Sequence, residues 1–382
     1  MIQTLFIYIS LLVIMVFLAS LSAKIKEDDG TYLFKNALNG PILFLMVLFS
    51  VVFGMRYNVG VDHLAYLKDY ETLKLFNIPA RDTEPAYTLI SNIFAHFYLH
   101  FSLFFTFLAF IQIFILYLTF KNYRDVFPYV LMTFMLGCVF LTFMNSIRQQ
   151  IAFCFFMYSI QYIRSKQPFH YFTFILLACL FHKSSILLFP IYFLYVNKSS
   201  YFNNLKLQFI LLIIALIILN VNVFENLFNS LDTLMIIFGY DQYIDMINKD
   251  DSLLFSLERQ RGVGFYVILM VDIVLILNSN NIKQYFKDTI FPIIYDIYFF
   301  GVIYGYITNG SIILSRPNDY FLGFKFIVAA FSLLYYFRKK ENSKKDKMLF
   351  YLLIGLYVLI FAGSMFRMKE NTAFFTFFWQ AG

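Results

Sequence analysis

Apolar runs of about 17 to 22 residues follow one another from the first residues of the chain to about residue 366. About 20 helical residues cross the hydrocarbon core of a bilayer. Backbone polar groups find no water there, so each run must be helical or belong to a closed barrel. Barrel strands alternate polar and apolar residues, and these runs do not. They predict an all-α, polytopic integral membrane protein. About twelve spans are expected, near 2–22, 39–56, 101–120, 126–144, 147–164, 168–182, 184–197, 207–223, 262–279, 289–307, 319–337 and 347–366. Charged residues make up 14% of the chain, against about 25% in an average soluble domain. The chain reads as one transmembrane domain, 1–382, with no soluble domain and no low-complexity stretch.

The first run lacks a basic leader and is long for a cleaved signal, so it reads as a retained span. Cys138, Cys154 and Cys179 all lie within apolar runs and show neither a disulfide framework nor metal spacing. The net charge of +7 resolves as topology rather than as nucleic-acid binding. Lys and Arg favour short cytoplasmic loops. With the amino terminus outside, the inner loops hold Lys24, Lys26 and Lys35, then Lys121 and Arg124, then Arg164 and Lys166. Lys198, Lys206, Lys283 and Lys287 follow, and then the cluster from Arg338 to Lys347. Two long outer loops result, about 57–100 and 221–261, both rich in aromatic and acidic residues. The apolar stretch 86–98 is expected to lie along the outer leaflet, because crossing it would invert every later basic loop.

Polar residues that interrupt or edge the spans are the functional candidates. Arg148 stands in Asn145-Ser146-Ile147-Arg148-Gln149-Gln150, between two apolar runs with almost no loop. On a helix Asn145, Arg148 and Gln149 share a face; the plain alternative is an arginine snorkelling to the headgroups. His182, Arg56 and Arg316 each occupy an outer-side turn or span end, and each alone is an ordinary interfacial residue. Together with Asp62 they all fall on one face. Arginine forks suit bidentate phosphate binding, and a carboxylate or histidine nearby would accept a hydroxyl proton. Asp272 and Asp296 lie inside spans, where a structural hydrogen bond is the plainer reading and a proton relay the alternative. Lys325 is a partner for one of them.

These residues resemble the EpsG family, which is similar to Wzy-type polysaccharide polymerases. Arg56-x3-Gly60-x-Asp62-x3-Tyr66 looks like its first signature, followed by Glu84-Pro85. Asn145-Ser146-x-Arg148-Gln149-x2-Ala152 looks like its second, Phe181-His182-x-Ser184 its third and Arg316-x3-Tyr320 its fourth. His63 stands where an aromatic is common, and the tail from Phe374 to Trp379 lacks a Pro-Tyr pair.

The resemblance implies a multi-pass enzyme of the bacterial cytoplasmic membrane with its active face outside. It would join oligosaccharide repeat units carried on undecaprenyl pyrophosphate, for capsule, exopolysaccharide or O-antigen. Arg148 and Arg316 would bind pyrophosphate and Arg56 would support a donor site. Asp62 would be the base, with His182 its competitor. Gln149, Tyr66, Glu84 and Tyr320 would contact substrate. No cofactor and no metal are expected, the lipid carrier being part of the substrate; a cation held by Asp62, Asp82 and Glu84 is the alternative. Expected partners are the lipid-linked oligosaccharide, membrane lipid, and a chain-length regulator and flippase of the same export system. The rival readings are a flippase for lipid-linked oligosaccharide, a membrane O-acyltransferase and a non-enzymatic scaffold. A flippase would line both leaflets with charge, and an acyltransferase would need an earlier histidine with an arginine motif. A scaffold would have no need of Arg148.

Overall fold

The computed structural model describes residues 2–24, 38–79, 81, 83–198, 200–219, 262–308, 315–341, 343–367 and 373–380. The expected outer loop 221–261, Lys26, Lys35 and Asp82 lie outside the described residues. The described residues are almost entirely helical, with one two-stranded antiparallel ladder. In chain order the helices are α1 (Ile2–Lys24), α2 (Gly40–Gly54), α3 (His63–Phe76), α4 (Pro85–His96), α5 (Phe101–Phe120), α6 (Phe127–Leu136), α7 (Val139–Asn145), α8 (Ile147–Arg164), α9 (Pro168–Phe181), α10 (Phe189–Tyr195) and α11 (Leu205–Ile218). They continue as α12 (Val263–Leu277), α13 (Ser279–Tyr285), α14 (Phe291–Ile307), α15 (Asp319–Leu322), α16 (Lys325–Lys339) and α17 (Lys344–Phe366). The strands are β1 (Arg56–Tyr57) and β2 (Thr376–Phe377).

Among the described residues helix runs through most of each expected span, with 220–223 lying outside them, but not as twelve straight crossings. Among the described residues four helical segments are long and apolar enough to cross a membrane, and up to six if each bent pair counts as one span. The stretch 126–144 breaks between α6 and α7 with a bend of 74°. Gly137 stands at that break, and Cys138 adopts a positive φ of 56°. The stretch 262–279 runs into α13 through a bend of 54°. The 57–100 loop folds as two helices, α3 and α4. At 12 residues α4 rises about 18 Å.

The chain forms two compact units. The first comprises Met1–Ser159, Phe172–His182 and Tyr357–Gly382. Its helix starts are written locally. Asn39 accepts from the Ile42 N–H at 3.2 Å to cap α2, whose first turn carries proline. His100 Nδ1 accepts from Ser102 N–H at 3.3 Å at the start of α5. In lipid, helices associate through close packing rather than through the hydrophobic effect, and Gly54 is where α2 meets α5. A Cβ there would lie 1.8 Å from Thr106 Oγ1 and 2.6 Å from the Ser102 carbonyl. β1 and β2 pair Arg56 with Phe377 and Tyr57 with Thr376. Tyr8 of α1 donates to the Ala373 carbonyl at 2.9 Å, so the tail is also tied to the first helix.

The second unit comprises Ile160–Tyr171 and Lys183–Leu356. Two buried carboxylates organise it. Asp272 of α12 accepts from Tyr298 (2.7 Å), Tyr306 (2.9 Å) and Lys325 Nζ (2.9 Å to Oδ1). Asp296 of α14 accepts from Ser200 Oγ at 2.9 Å and from the backbone N–H groups of Tyr201 and Phe202, with Lys283 Nζ at 3.7 Å. Each is thus a structural tie between helices, as the plainer sequence reading expects, and Lys325 pairs with Asp272. Buried charges persist in this way when partnered and hydrogen-bonded.

Candidate functional site

The turn after α2 carries the first signature. Arg56 is 2% exposed. It donates from Nε to the Val59 carbonyl at 3.3 Å, from Nη1 to that of Phe53 and from Nη2 to that of Met144 at 2.8 Å. Its guanidinium also lies over the Phe105 ring. Arg56 therefore organises the turn and the end of α7 instead of facing a ligand. Gly60 has φ +94°, a conformation that glycine adopts without steric cost. A Cβ there would be 3.2 Å from both Cα and Oδ1 of Asn145. Asn145 Oδ1 accepts from the Asp62 N–H at 3.0 Å. The first and second signatures are thereby interlocked through three contacts, and Asp62 is left exposed at the start of α3.

Between α7 and α8 the helix breaks at Ser146, whose ψ is 56°. Gln112 of α5 secures the break by donating to the Phe143 carbonyl at 3.1 Å. The restart places Arg148 in the first turn of α8. Arg148 Nη1 donates to Glu84 Oε2. The Arg148 guanidinium lies 5.8 Å from the Tyr66 ring centre and 5.5 Å from that of Tyr87. At these distances the ring faces attract the cation. Glu84 Oε1 faces His182 Nδ1 at 3.1 Å. His182 ends α9, its N–H bonded to the Ala178 carbonyl at 2.9 Å.

The three side chains differ in access. Glu84 is 8% exposed, Arg148 22% and His182 25%. Burial by itself would raise the Glu84 carboxyl. The hydrogen bond to His182 and the charge of Arg148 outweigh it, and hold the group at about 2. It is therefore ionised at neutral pH and a weak base. Arg148 and His182, both half-open, are the members of the cluster that can meet a ligand.

Glu84, Arg148, His182, Tyr66 and Asp62 thus come together in the first unit, while Gln149 is buried on α8. Arg316 and Tyr320 belong to the second unit, Arg316 partly exposed and Tyr320 buried. Tyr320 OH is 2.9 Å from Ser185 Oγ and 3.4 Å from Ser184 Oγ, which ties the fourth signature to the serines after His182. One contributor escapes the sequence reading. Tyr87 flanks Arg148, and only its place in Glu84-Pro85-Ala86-Tyr87, one helical turn after the carboxylate, hints at it. Asn145, expected to share a helix face with Arg148, instead ends α7 before the break at Ser146 and accepts the Asp62 backbone N–H. His63, the departure noted above, is fully buried against Phe105, ring centres 5.1 Å apart. Neither ring nitrogen has a hydrogen-bond partner among the described residues, and burial, with the nearby charge of Arg56, depresses the imidazole to about 2. It sits there as a neutral aromatic.

The model of the EpsG family matches residues 40–379, which spans all four signatures. The chain belongs to the EpsG family. EpsG proteins are Wzy-like polysaccharide polymerases, so membership is consistent with an enzyme of the glycosyltransferase kind. The apolar helices agree with a membrane protein of that family. Comparison with curated proteins and with solved structures gave no match.

Proposed function

We propose that this EpsG-family chain joins oligosaccharide repeat units carried on undecaprenyl pyrophosphate, at the outer face of the bacterial cytoplasmic membrane. The observation that carries the reading is the meeting of three family signatures around Arg148, whose partly exposed side chain lies over two tyrosine rings beside a buried carboxylate. Arg148 takes the pyrophosphate of the donor. The growing chain leaves its carrier through an oxocarbenium-like state, and a hydroxyl of the incoming unit takes its place. Fixed guanidinium donors stabilise the departing pyrophosphate, and holding two lipid-linked partners in register removes much of the entropic barrier. Tyr66 and Tyr87, both buried, hold the Arg148 guanidinium in place, Gln149 and Tyr320 support the signatures that carry the arginines, and Asp62 or His182 receives the hydroxyl proton.

The test is to replace the gene by the Arg148→Ala variant and to size both the polysaccharide and its lipid-linked precursors. Loss of polymer with single units accumulating at the outer face is expected. Single units trapped at the inner face would make the protein a flippase and remove the catalytic roles.

A further inference from the structure

We propose that Glu84 is a positioning residue that fixes the tautomer of His182 and so makes His182 Nε2, rather than Asp62, the proton acceptor. The proposal rests on the polymerase reading for its chemistry, though not for its geometry.

Both Glu84 oxygens already carry a partner. Oε1 faces His182 Nδ1 at 3.1 Å and Oε2 takes Arg148 Nη1. The expectation that Glu84 contacts substrate therefore gives way to a role exerted through its two partners. An ionised carboxylate accepts hydrogen bonds and cannot donate them. A neutral histidine opposite it must carry its proton on Nδ1, which leaves the lone pair on Nε2. The same carboxylate stabilises the imidazolium once that lone pair is protonated, as in hydrolase triads. Its other oxygen anchors one arm of the Arg148 fork, so base and anion-binding group hang on a single buried side chain. The chain supplies this by an economical device. Glu84 directly precedes Pro85, which stands at the start of α4, so its backbone is set by the helix start and its side chain is directed to the ends of α8 and α9. Asp62 has no such arrangement. It is exposed, and it makes no side-chain bond to cap α3.

The transfer step balances as follows. The acceptor hydroxyl gives its proton to His182 Nε2 while its oxygen bonds to the anomeric carbon of the donor. The bond from that carbon to the pyrophosphate oxygen breaks, and its electron pair leaves with the pyrophosphate. The proton then passes from Nε2 to water, and Glu84 remains an anion throughout.

Two measurements test this on the full-length protein in vesicles. The first is 15N NMR of His182 at mildly alkaline pH, with assignment by a His182→Gln control. A protonated Nδ1 and an unprotonated Nε2 are expected; the reverse overturns the proposal whatever the protein's activity. The second is turnover of the lipid-linked repeat unit isolated from cells lacking the gene, compared among His182→Ala, Glu84→Gln and the double variant. General-base catalysis is worth about 10²–10⁴ in rate, so His182→Ala should lose that much. Glu84→Gln should lose about tenfold or more, and the double variant should match His182→Ala. Losses that multiply would make Glu84 a structural residue independent of His182. Full turnover in His182→Ala with loss in Asp62→Asn would return the base to Asp62. If Glu84→Gln does not fold, Glu84→Asp keeps the charge, and its NMR signature and turnover replace those of the glutamine. A wild type that does not extend chains, with the tautomer as expected, would refute the polymerase reading alone.

Discussion

Gly60 and Asn145 touch: a Cβ added to Gly60 would lie 3.2 Å from both the Cα and the Oδ1 of Asn145. The contact joins the first signature to the helix break that aims Arg148. Gly60→Ala would have to keep φ near +94° or push Asn145 away. Holding a non-glycine residue in such a region costs about 1–3 kcal/mol. The variant should melt at lower temperature in detergent and grow shorter polymer. Unchanged values in both would show that the turn tolerates a side chain.

Glu84 makes the first unit acid-sensitive. Its carboxyl is depressed from an ordinary 4.5 to about 2. A group whose folded value is depressed stabilises the fold above its unfolded value, and that stability is lost as pH falls towards the folded value. The window is therefore pH 4.5 down to about 2, and the amount at stake is about 3 kcal/mol. Thermal unfolding measured against pH should show this loss, and Glu84→Gln should flatten it.

His63 offers a stabilising substitution. Its ring nitrogens are buried and unpartnered among the described residues, and leaving a buried polar group unsatisfied costs about 1–3 kcal/mol. His63→Phe should raise the melting temperature. It should also remove a second acid loss, which begins as pH falls below an ordinary histidine value of 6.5 because the unfolded imidazole takes a proton that the folded one refuses. A lower melting temperature would mean that the ring nitrogens are used.

Arg148→Lys should restore little of the activity lost in Arg148→Ala. A lysine gives a point charge to Glu84 but no planar fork for a second anion. Both proteins should reach the membrane in normal amounts. Full chain growth in the lysine variant would remove bidentate pyrophosphate binding.

A reporter fused after Lys345 should read cytoplasmic, which tests the outer placement of the site. An external signal would turn the site to the inner face.

Part of the site was legible because a chemistry-bearing residue interrupts an apolar run: Arg148 and His182 are conspicuous there, while Glu84, among the charges of the 57–100 loop, stood out only through the resemblance. What Arg56 does was not legible. An arginine at a span end reads as an interfacial anchor until the fold shows three carbonyls converging on its guanidinium. The break at Cys138 was hidden for a related reason. Hydropathy over 126–144 is continuous, and a positive φ at a cysteine follows from tertiary packing rather than from intrinsic preference. The pairing of Asp272 with Lys325 was expected only as one of two choices, since periodicity places residues on faces but does not select which helix lies opposite.

The ladder of β1 with β2 also sets an order of events during synthesis. Thr376 bonds the Tyr57 carbonyl across 319 positions of sequence. At roughly 5–20 residues per second, the ribosome adds the second strand about 15 to 60 s after the first. Through that interval the turn bearing Arg56 has one edge uncovered. The nascent chain can thus hold every signature in the membrane and still be unfinished, and a chain cut short between Tyr320 and Thr376 would carry all four signatures with that turn left open.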